Sequence, residues 1–212
     1  MTKFYLVRHG MTEYNLANRF QGGNVDSPLL AESLVNATRV GQHLKTIPFA
    51  NVYASPQARA YQTAQHIVAQ FDTPQPIISL ENFIEYDFGK WDGQLLSEYQ
   101  ATPEFKQMVH DPENFDAAKV YGGENYADFA KRGQQTLQEI FSQNAKDANV
   151  LIVAHSLIIS FTVKTLLGVA LNDVRKQGLL DNTSVTVLET NDFVNFKLLV
   201  WNDTFFLKNR KK

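Results

Sequence analysis

The spacing of apolar side chains changes several times along the 212-residue chain, and each change predicts an element. Lys3 to Val7 is a short, mostly apolar run that stops at Arg8-His9-Gly10, the pattern of a strand ending in a loop. Leu30, Leu34, Ala37, Gly41 and Leu44 then share one helical face. Asn51 to Ala54 reads as a second strand. Ser55 and Pro56 read as the N-cap and first position of a helix whose buried stripe, Tyr61, Ala64, Val68 and Phe71, runs until Pro74. Ile77 to Leu80 is a third, weaker strand. Residues 86 to about 122 show no strong period and contain Pro103, Pro112 and Gly122-Gly123. That composition predicts short helices and loops packed as an insertion over one end of the domain.

The helical period returns at Tyr126, Phe129, Ala130, Gly133, Leu137, Ile140 and Phe141, with Asn125 and Asp128 as a capping pair. Val150 to Ala154 is the clearest buried strand and stops at His155-Ser156. Leu157 to Leu167 reads as a helix closed by Gly168. Val185 to Leu188 and Phe193 to Trp201 alternate like strands around Asn191-Asp192, a hairpin pattern. Strands alternating with helices predict an α/β fold, a three-layer α/β/α sandwich with a mostly parallel sheet. To this the pattern adds an antiparallel strand near the C-terminus and the small helical insertion, all within a single domain over residues 1–212.

Composition narrows the function. Hydrophobic residues at 44 % suffice for a sizeable core. A net charge of −2 supplies no basic face for nucleic acid or a membrane, yet leaves room for a few arginines to hold an anionic metabolite in one cleft. The absence of cysteine excludes disulfides, thiolate chemistry and cysteine metal sites. The N-terminal apolar stretch is too short for a signal peptide, and no run approaches the ~20 apolar residues of a membrane span. A cytoplasmic protein is expected, with Lys208 to Lys212 a solvated terminus.

In open sheets of this kind, ligands gather at the carboxyl ends of the strands. Three such ends carry chemistry here: Arg8-His9, the stretch from Ser55 to Arg59, and His155. One histidine at a strand end is most simply a packed structural residue. Two at the same sheet edge, with Arg8 beside one and Arg59 in the intervening helix, point instead to a functional site. The other three of the five histidines, His43, His66 and His110, fall in predicted helices or the insertion and read as surface or packing residues.

These segments are familiar. Leu6-Val7-Arg8-His9-Gly10, with Thr12 and Asn15, resembles the signature of the histidine phosphatase superfamily, the phosphoglycerate-mutase-like proteins. Ser55 to Ala64 is similar to the family's second motif, and Glu85 to Gly93 to its acidic motif. Gly122-Gly123-Glu124 matches a further landmark, and Val153-Ala154-His155 the segment of the second histidine. The matches occur in the family's order across most of the chain.

The resemblance implies a metal-independent phosphatase that acts on a small phosphorylated metabolite through a phosphohistidine on His9, without a cofactor. It implies that Arg8, Arg59, His155 and Asn15 hold the phosphate. A neutral imidazole can attack phosphorus without first losing a proton, and arginine forks match phosphate oxygens. The helix after His155 would aim backbone amides at the anion. Glu85 matches the position of the proton donor, with Asp87 as the fallback; from composition alone Glu85 would be a cap or a solvated loop acid. Arginines beside both histidines would repel a metal cation.

Three departures stand out. Ser156 follows His155 where the family has glycine, and adds a hydroxyl able to touch phosphate or cap the helix. Met11 replaces the usual Glu or Gln. Ala31 and Ser33 replace Thr and Gly in a packing segment. In the family, phosphoglycerate mutases with a bisphosphoglycerate cofactor carry Arg where Tyr86 stands and have a more elaborate insertion, so a phosphatase is the expectation and a cofactor-dependent mutase the alternative. A non-catalytic phosphate-binding member is a second alternative, opposed by the complete set of competent residues. A generic nucleotide-binding module would need a glycine-rich loop after the first strand, which Arg8 to Thr12 is not. Aromatic residues near the insertion (Phe88, Trp91, Tyr99, Phe105, Phe115, Tyr121) and Phe20 are candidates either for a substrate pocket or for packing. Substrate identity and oligomeric state are not legible.

Overall fold

A computed structural model describes residues 1–73, 75–176 and 178–207, so the expectations for Pro74 and for Lys208 to Lys212 lie outside the described residues. The chain runs β1 (Thr2–Arg8), α1 (Glu13–Leu16), α2 (Ala31–Leu44), β2 (Phe49–Ala54), α3 (Ala58–Val68) and β3 (Ile77–Ser79). Three short helices follow, α4 (Leu96–Tyr99), α5 (Pro103–His110) and α6 (Ala117–Val120). The remainder is α7 (Tyr126–Gln143), β4 (Asn149–Ala154), α8 (Ser156–Leu166), β5 (Val185–Thr190) and β6 (Phe196–Asp203).

The six strands form one sheet in the order β3-β2-β4-β1-β5-β6. The first four are mutually parallel, whereas β5 runs antiparallel to β1 and β6 antiparallel to β5. The mostly parallel α/β architecture is therefore as expected, with the antiparallel component at one edge.

Side-chain alternation divides the core between the two faces. Phe4 and Leu6 of β1 and Val150 and Ile152 of β4 pack on one side with Phe129 and Leu137 of α7 and Ile158 of α8. Val7, Leu151 and Val153 pack on the other with Ala37, Val40 and Leu44 of α2 and Ala64 and Ile67 of α3. A strand covered on both faces has no need of polar alternation, which is why β4 reads as a continuous apolar run. α8 is enclosed almost all round, Ser156 to Lys164 being buried, which explains its apolar first two turns.

Two capping expectations are corrected. Helix α3 begins at Ala58 with Gln57 as its N-cap, not at Ser55-Pro56. Ser55 is fully buried and bonds His155 instead. Asn125 is the N-cap of α7 but its side chain makes no capping bond; its Oδ1 accepts from the Ala117 amide and ties α6 to α7. Two stripes are also rotated. Val40 and Ser33, rather than Leu34, are buried on α2, and α3 ends at Val68 with Ala60 and Ile67 inside while Tyr61, Val68 and Phe71 are only half-buried. The hairpin loop spans Asn191 to Asn195, so β6 starts at Phe196 rather than Phe193. Asp192 organises that loop, its Oδ1 accepting the Val194 and Asn195 amides.

Between residues 86 and 122 the chain makes short helices and loops, as its lack of period predicts. Most of its aromatic residues are packing. Phe88, Trp91, Phe115 and Tyr121 are buried in one cluster with Phe20, and Tyr99 and Phe105 pack against it half-buried. Trp91 and Tyr99 also line a cavity of about 610 Å³ with Glu104, Gln107 and Lys119. Among the described residues no helix is long and apolar enough to cross a membrane.

Candidate active site

Strand β1 delivers Arg8 and His9 to the carboxyl edge of the sheet. The His9 amide continues the ladder onto Ala154 O (2.9 Å), while the Thr183 amide donates to Arg8 O (3.0 Å) and His9 O (3.3 Å) from the other side. The turn that follows is tight. A Cβ on Gly10 would come within 2.6 Å of Ser33 Cβ, so only glycine fits there. The Gly10 amide donates to Thr63 Oγ1 (3.1 Å) on α3.

His9 is 4 % exposed, and its Nδ1 lies 2.7 Å from Gly10 O. A carbonyl oxygen only accepts, so Nδ1 carries the proton and Nε2 keeps its lone pair. Burial lowers His9 well below the usual histidine value, and Arg59 and Arg8 reinforce the effect against the opposing bond to Gly10. The ring is therefore neutral and its Nε2 unprotonated at neutral pH.

β4 delivers His155 to the same edge, with ring centroids 5.1 Å apart. It is fully buried, and it too is lowered by burial first and then by Arg59, His9 and Arg8. Its Nε2 meets Ser55 Oγ at 2.8 Å.

The arginines are held differently. Arg8 donates through Nη1 to Leu180 O at 2.5 Å; burial lowers it to about 10, still charged at neutral pH. Arg59, in the first turn of α3, is 1 % exposed. Its Nη1 donates to Val25 O (2.9 Å) and Asp26 Oδ1 (3.0 Å), and its Nη2 to Gly22 O (3.0 Å). These bonds leave Nε over. Of the seven buried side-chain polar atoms without a partner among the described residues, three belong to this cluster: Arg8 Nε, Arg59 Nε and His155 Nδ1. Unpaired buried polar atoms are costly, and the two arginine Nε–H groups, which can only donate, suit an anion.

Glu85 is buried at 5 % exposure, which removes the solvated reading. Its Oε1 accepts from Tyr86 N (2.9 Å) and Ile158 N (3.1 Å), and its Oε2 from Leu157 N (3.0 Å). This corrects one expectation: those two amides at the N-terminus of α8 hold the Glu85 carboxylate. Asp87, the fallback, accepts from Asn24 Nδ2 and Gly89 N and organises the loop.

Asn15 Oδ1 accepts from Thr12 N and Asn182 Nδ2, both at 3.2 Å, so its amide nitrogen is the end left for a ligand. Ser156 does not cap α8; its hydroxyl donates weakly to Leu180 O at 3.4 Å, the carbonyl that also receives Arg8. Ser33 donates to Met11 O, and Met11 is exposed. His43 and His110 are exposed and His66 half-buried, in keeping with surface or packing roles.

Several residues around the cluster carried no assigned role in the sequence. Asn182 donates to His9 O (3.1 Å) as well as to Asn15. Gln57 accepts from the Glu85 amide and donates to Gly22 O. Ser55, Gln57 and Thr63 lie inside a segment already singled out. Asn182-Thr183 precedes a buried strand, a position the strand-end rule would have flagged had β5 been known to lie beside β1.

The chain as a whole is similar to known proteins. The family model described as histidine phosphatase superfamily (branch 1) matches residues 4–204. Phosphoserine phosphatase 1 of Hydrogenobacter thermophilus is 30 % identical over 194 residues, 91 % of this chain and 88 % of its own length. A probable phosphoglycerate mutase, GpmB of Erwinia tasmaniensis, is 30 % identical over 181 residues, covering 84 % and 81 %. Among solved structures, Bacillus stearothermophilus YhfR superposes with a TM-score of 0.89 at 27 % identity, covering 98 % of this chain and all of its own. A phosphoserine phosphatase mutant from Entamoeba histolytica, in complex with phosphoserine, gives 0.85 at 28 % identity with the same coverage. Matched by one family model over nearly its full length, and aligned along it with both phosphatases and mutases, this chain belongs to the histidine phosphatase superfamily, branch 1.

Proposed function

We propose that this protein is a metal-independent phosphatase that hydrolyses small phosphomonoesters through a phosphohistidine on His9. The observation that carries the reading is the neutral His9 ring, its Nδ1 proton held by Gly10 O, in one cluster with three buried side-chain nitrogens that have no partner among the described residues.

In the first step His9 Nε2 attacks phosphorus and the P–O bond to the alcohol breaks. Glu85, in its protonated form, gives its proton to the departing oxygen. In the second step water attacks phosphorus, Glu85 takes back the proton, and the P–N bond breaks, returning a neutral imidazole and inorganic phosphate. Arg8, Arg59, His155 and the Asn15 amide bind the phosphoryl oxygens, with Ser156 at the same edge of the pocket. Negative charge in transfer is offset by groups already in place.

The reaction needs no Lewis acid, because two guanidinium groups supply the positive charge. Among the described residues no group of three or more His, Asp or Glu side chains is placed to hold a metal ion. Tyr86 favours the phosphatase over the mutase. The mutase pattern has a cation at that position, whereas Tyr86 is buried, bonded to the Tyr121 hydroxyl (2.6 Å) and stacked on Tyr126. The insertion over residues 86–122 sets the choice of alcohol. The names of the similar proteins make phosphoserine and 3-phosphoglycerate the first natural esters to try.

The test is phosphate release from an aryl phosphate in EDTA, comparing the wild type with His9→Ala. Release that survives EDTA and disappears in the variant supports the proposal. Loss in EDTA, or release by His9→Ala at the wild-type rate, overturns it.

A further inference from the structure

Arg132, on α7, is engaged by the segment that carries Glu85. A guanidinium has five N–H donors, and each of the five has its own acceptor here. Nη1 donates to Asn82 O (2.8 Å) and Ile84 O (2.9 Å). Nη2 donates to Glu85 O (3.2 Å) and Glu124 Oε1 (2.7 Å). Nε donates to Glu124 Oε2 (3.0 Å). The group lies over the Phe129 ring, 4.7 Å from its centroid, and is only 21 % exposed. Glu124 in turn accepts the Asp87 amide (3.1 Å).

Three carbonyls between residues 82 and 85 thus converge on one cation, and its counter-ion holds residue 87. Glu85 follows a single 3-10 turn and has no helix or strand of its own to fix it. Its amide is held by Gln57 (3.0 Å) and its carbonyl by Arg132. Its carboxyl group accepts from the amides of Tyr86, Leu157 and Ile158.

We propose that Arg132, braced by Glu124, is a positioning residue that sets where the Glu85 carboxyl meets the leaving oxygen. This rests on Glu85 being the proton donor. A lysine at position 132 keeps the charge but has three donors from one atom, and cannot span three carbonyls and a carboxylate.

The experiment measures kcat and KM for Arg132→Lys, Glu85→Gln and the double variant, over phosphate esters whose leaving groups range from 4-nitrophenol to simple alcohols. Arg132→Lys should lose about 10- to 100-fold in kcat on the poor leaving groups, the size of effect a misplacement of about 1 Å produces. It should lose little on 4-nitrophenyl phosphate, with KM nearly unchanged. In the Glu85→Gln background the substitution should have no further effect. A uniform loss across the series, or an undiminished loss in the Glu85→Gln background, would reduce Arg132 to a structural residue and overturn the proposal. If Glu85→Gln itself loses activity uniformly, the proton-donor reading fails first and the proposal with it. Should Arg132→Lys fold poorly by thermal melting, Glu124→Gln, which leaves the guanidinium on the carbonyls, must show a weaker form of the same leaving-group pattern.

Discussion

Lowering the pH from about 7.5 to about 5.5 protonates histidine in the unfolded chain, whose ordinary value is 6.5, while His9 and His155 stay neutral in the folded one. Both are enclosed, at 4 % and 0 % exposure, and burial aided by Arg59 and Arg8 holds both well below 6.5. Below that value the unfolded state binds more protons, so stability falls as the pH falls and returns as it rises. One unit below 6.5 the loss is about 1.4 kcal/mol for each histidine, or about 3 kcal/mol for the pair. Asp92 acts in the opposite sense. Burial, against the bonds from Gly22 and Asn24, raises its carboxyl to about 6, so the folded state gains a proton over the same interval and is stabilised by it. The measurement must therefore be a difference: urea unfolding of the wild type, His9→Gln and His155→Gln at both pH values. Each variant should lose about 1.4 kcal/mol less than the wild type over the interval, whatever its absolute stability. Equal losses in wild type and variants would show that the imidazoles titrate as exposed ones do. That result would refute the argument for a neutral nucleophile.

Three further outcomes follow from particular contacts. Ser55→Ala removes the partner of His155 Nε2 and should lower kcat by about tenfold, the value of one hydrogen bond near 1.4 kcal/mol; ¹⁵N shifts of His155 should then report a mixture of tautomers in place of one. Asn182→Ala unties His9 O and Asn15. It should weaken competitive inhibition by inorganic phosphate about fivefold, and adding Asn15→Ala should cost less than the two single effects combined. Gly133→Ala places a methyl group against the Thr162 hydroxyl where α7 crosses α8; unfolding should show a loss of about 1–3 kcal/mol with kcat unchanged.

The sheet and its long helices were legible because each has a single strong period. β4 is apolar from Val150 to Ala154, and α7 repeats Tyr126, Phe129, Gly133, Leu137 and Ile140. Arg8, His9 and His155 were legible because strand ends at one sheet edge meet whatever their order in sequence. What escaped was the second set of contacts. A serine before a proline is a local capping signal at Ser55, whereas its partner His155 is 100 residues away. The α8 amides were assigned to phosphate because nothing local reveals that Glu85 folds back onto them. Arg132 was invisible for the same reason, its acceptors being 47 to 50 residues upstream along with a glutamate at the head of its own helix. Side-chain bonds to irregular backbone carry no periodicity, and single-sequence reasoning reaches them only where a motif is already familiar.

Phosphoryl transfer to His9 is the claim on which the remainder depends, and trapping the phosphoenzyme tests it most directly. Wild type and Glu85→Gln would be mixed with 4-nitrophenyl phosphate, whose leaving group needs no proton, quenched in alkali within milliseconds to seconds, digested and mapped by mass spectrometry. The account predicts an acid-labile phosphoryl group on the peptide containing His9, accumulating further in Glu85→Gln and absent from His9→Ala. Continued turnover with no phosphoryl group on that peptide at any time, or with the group on another residue, would contradict it.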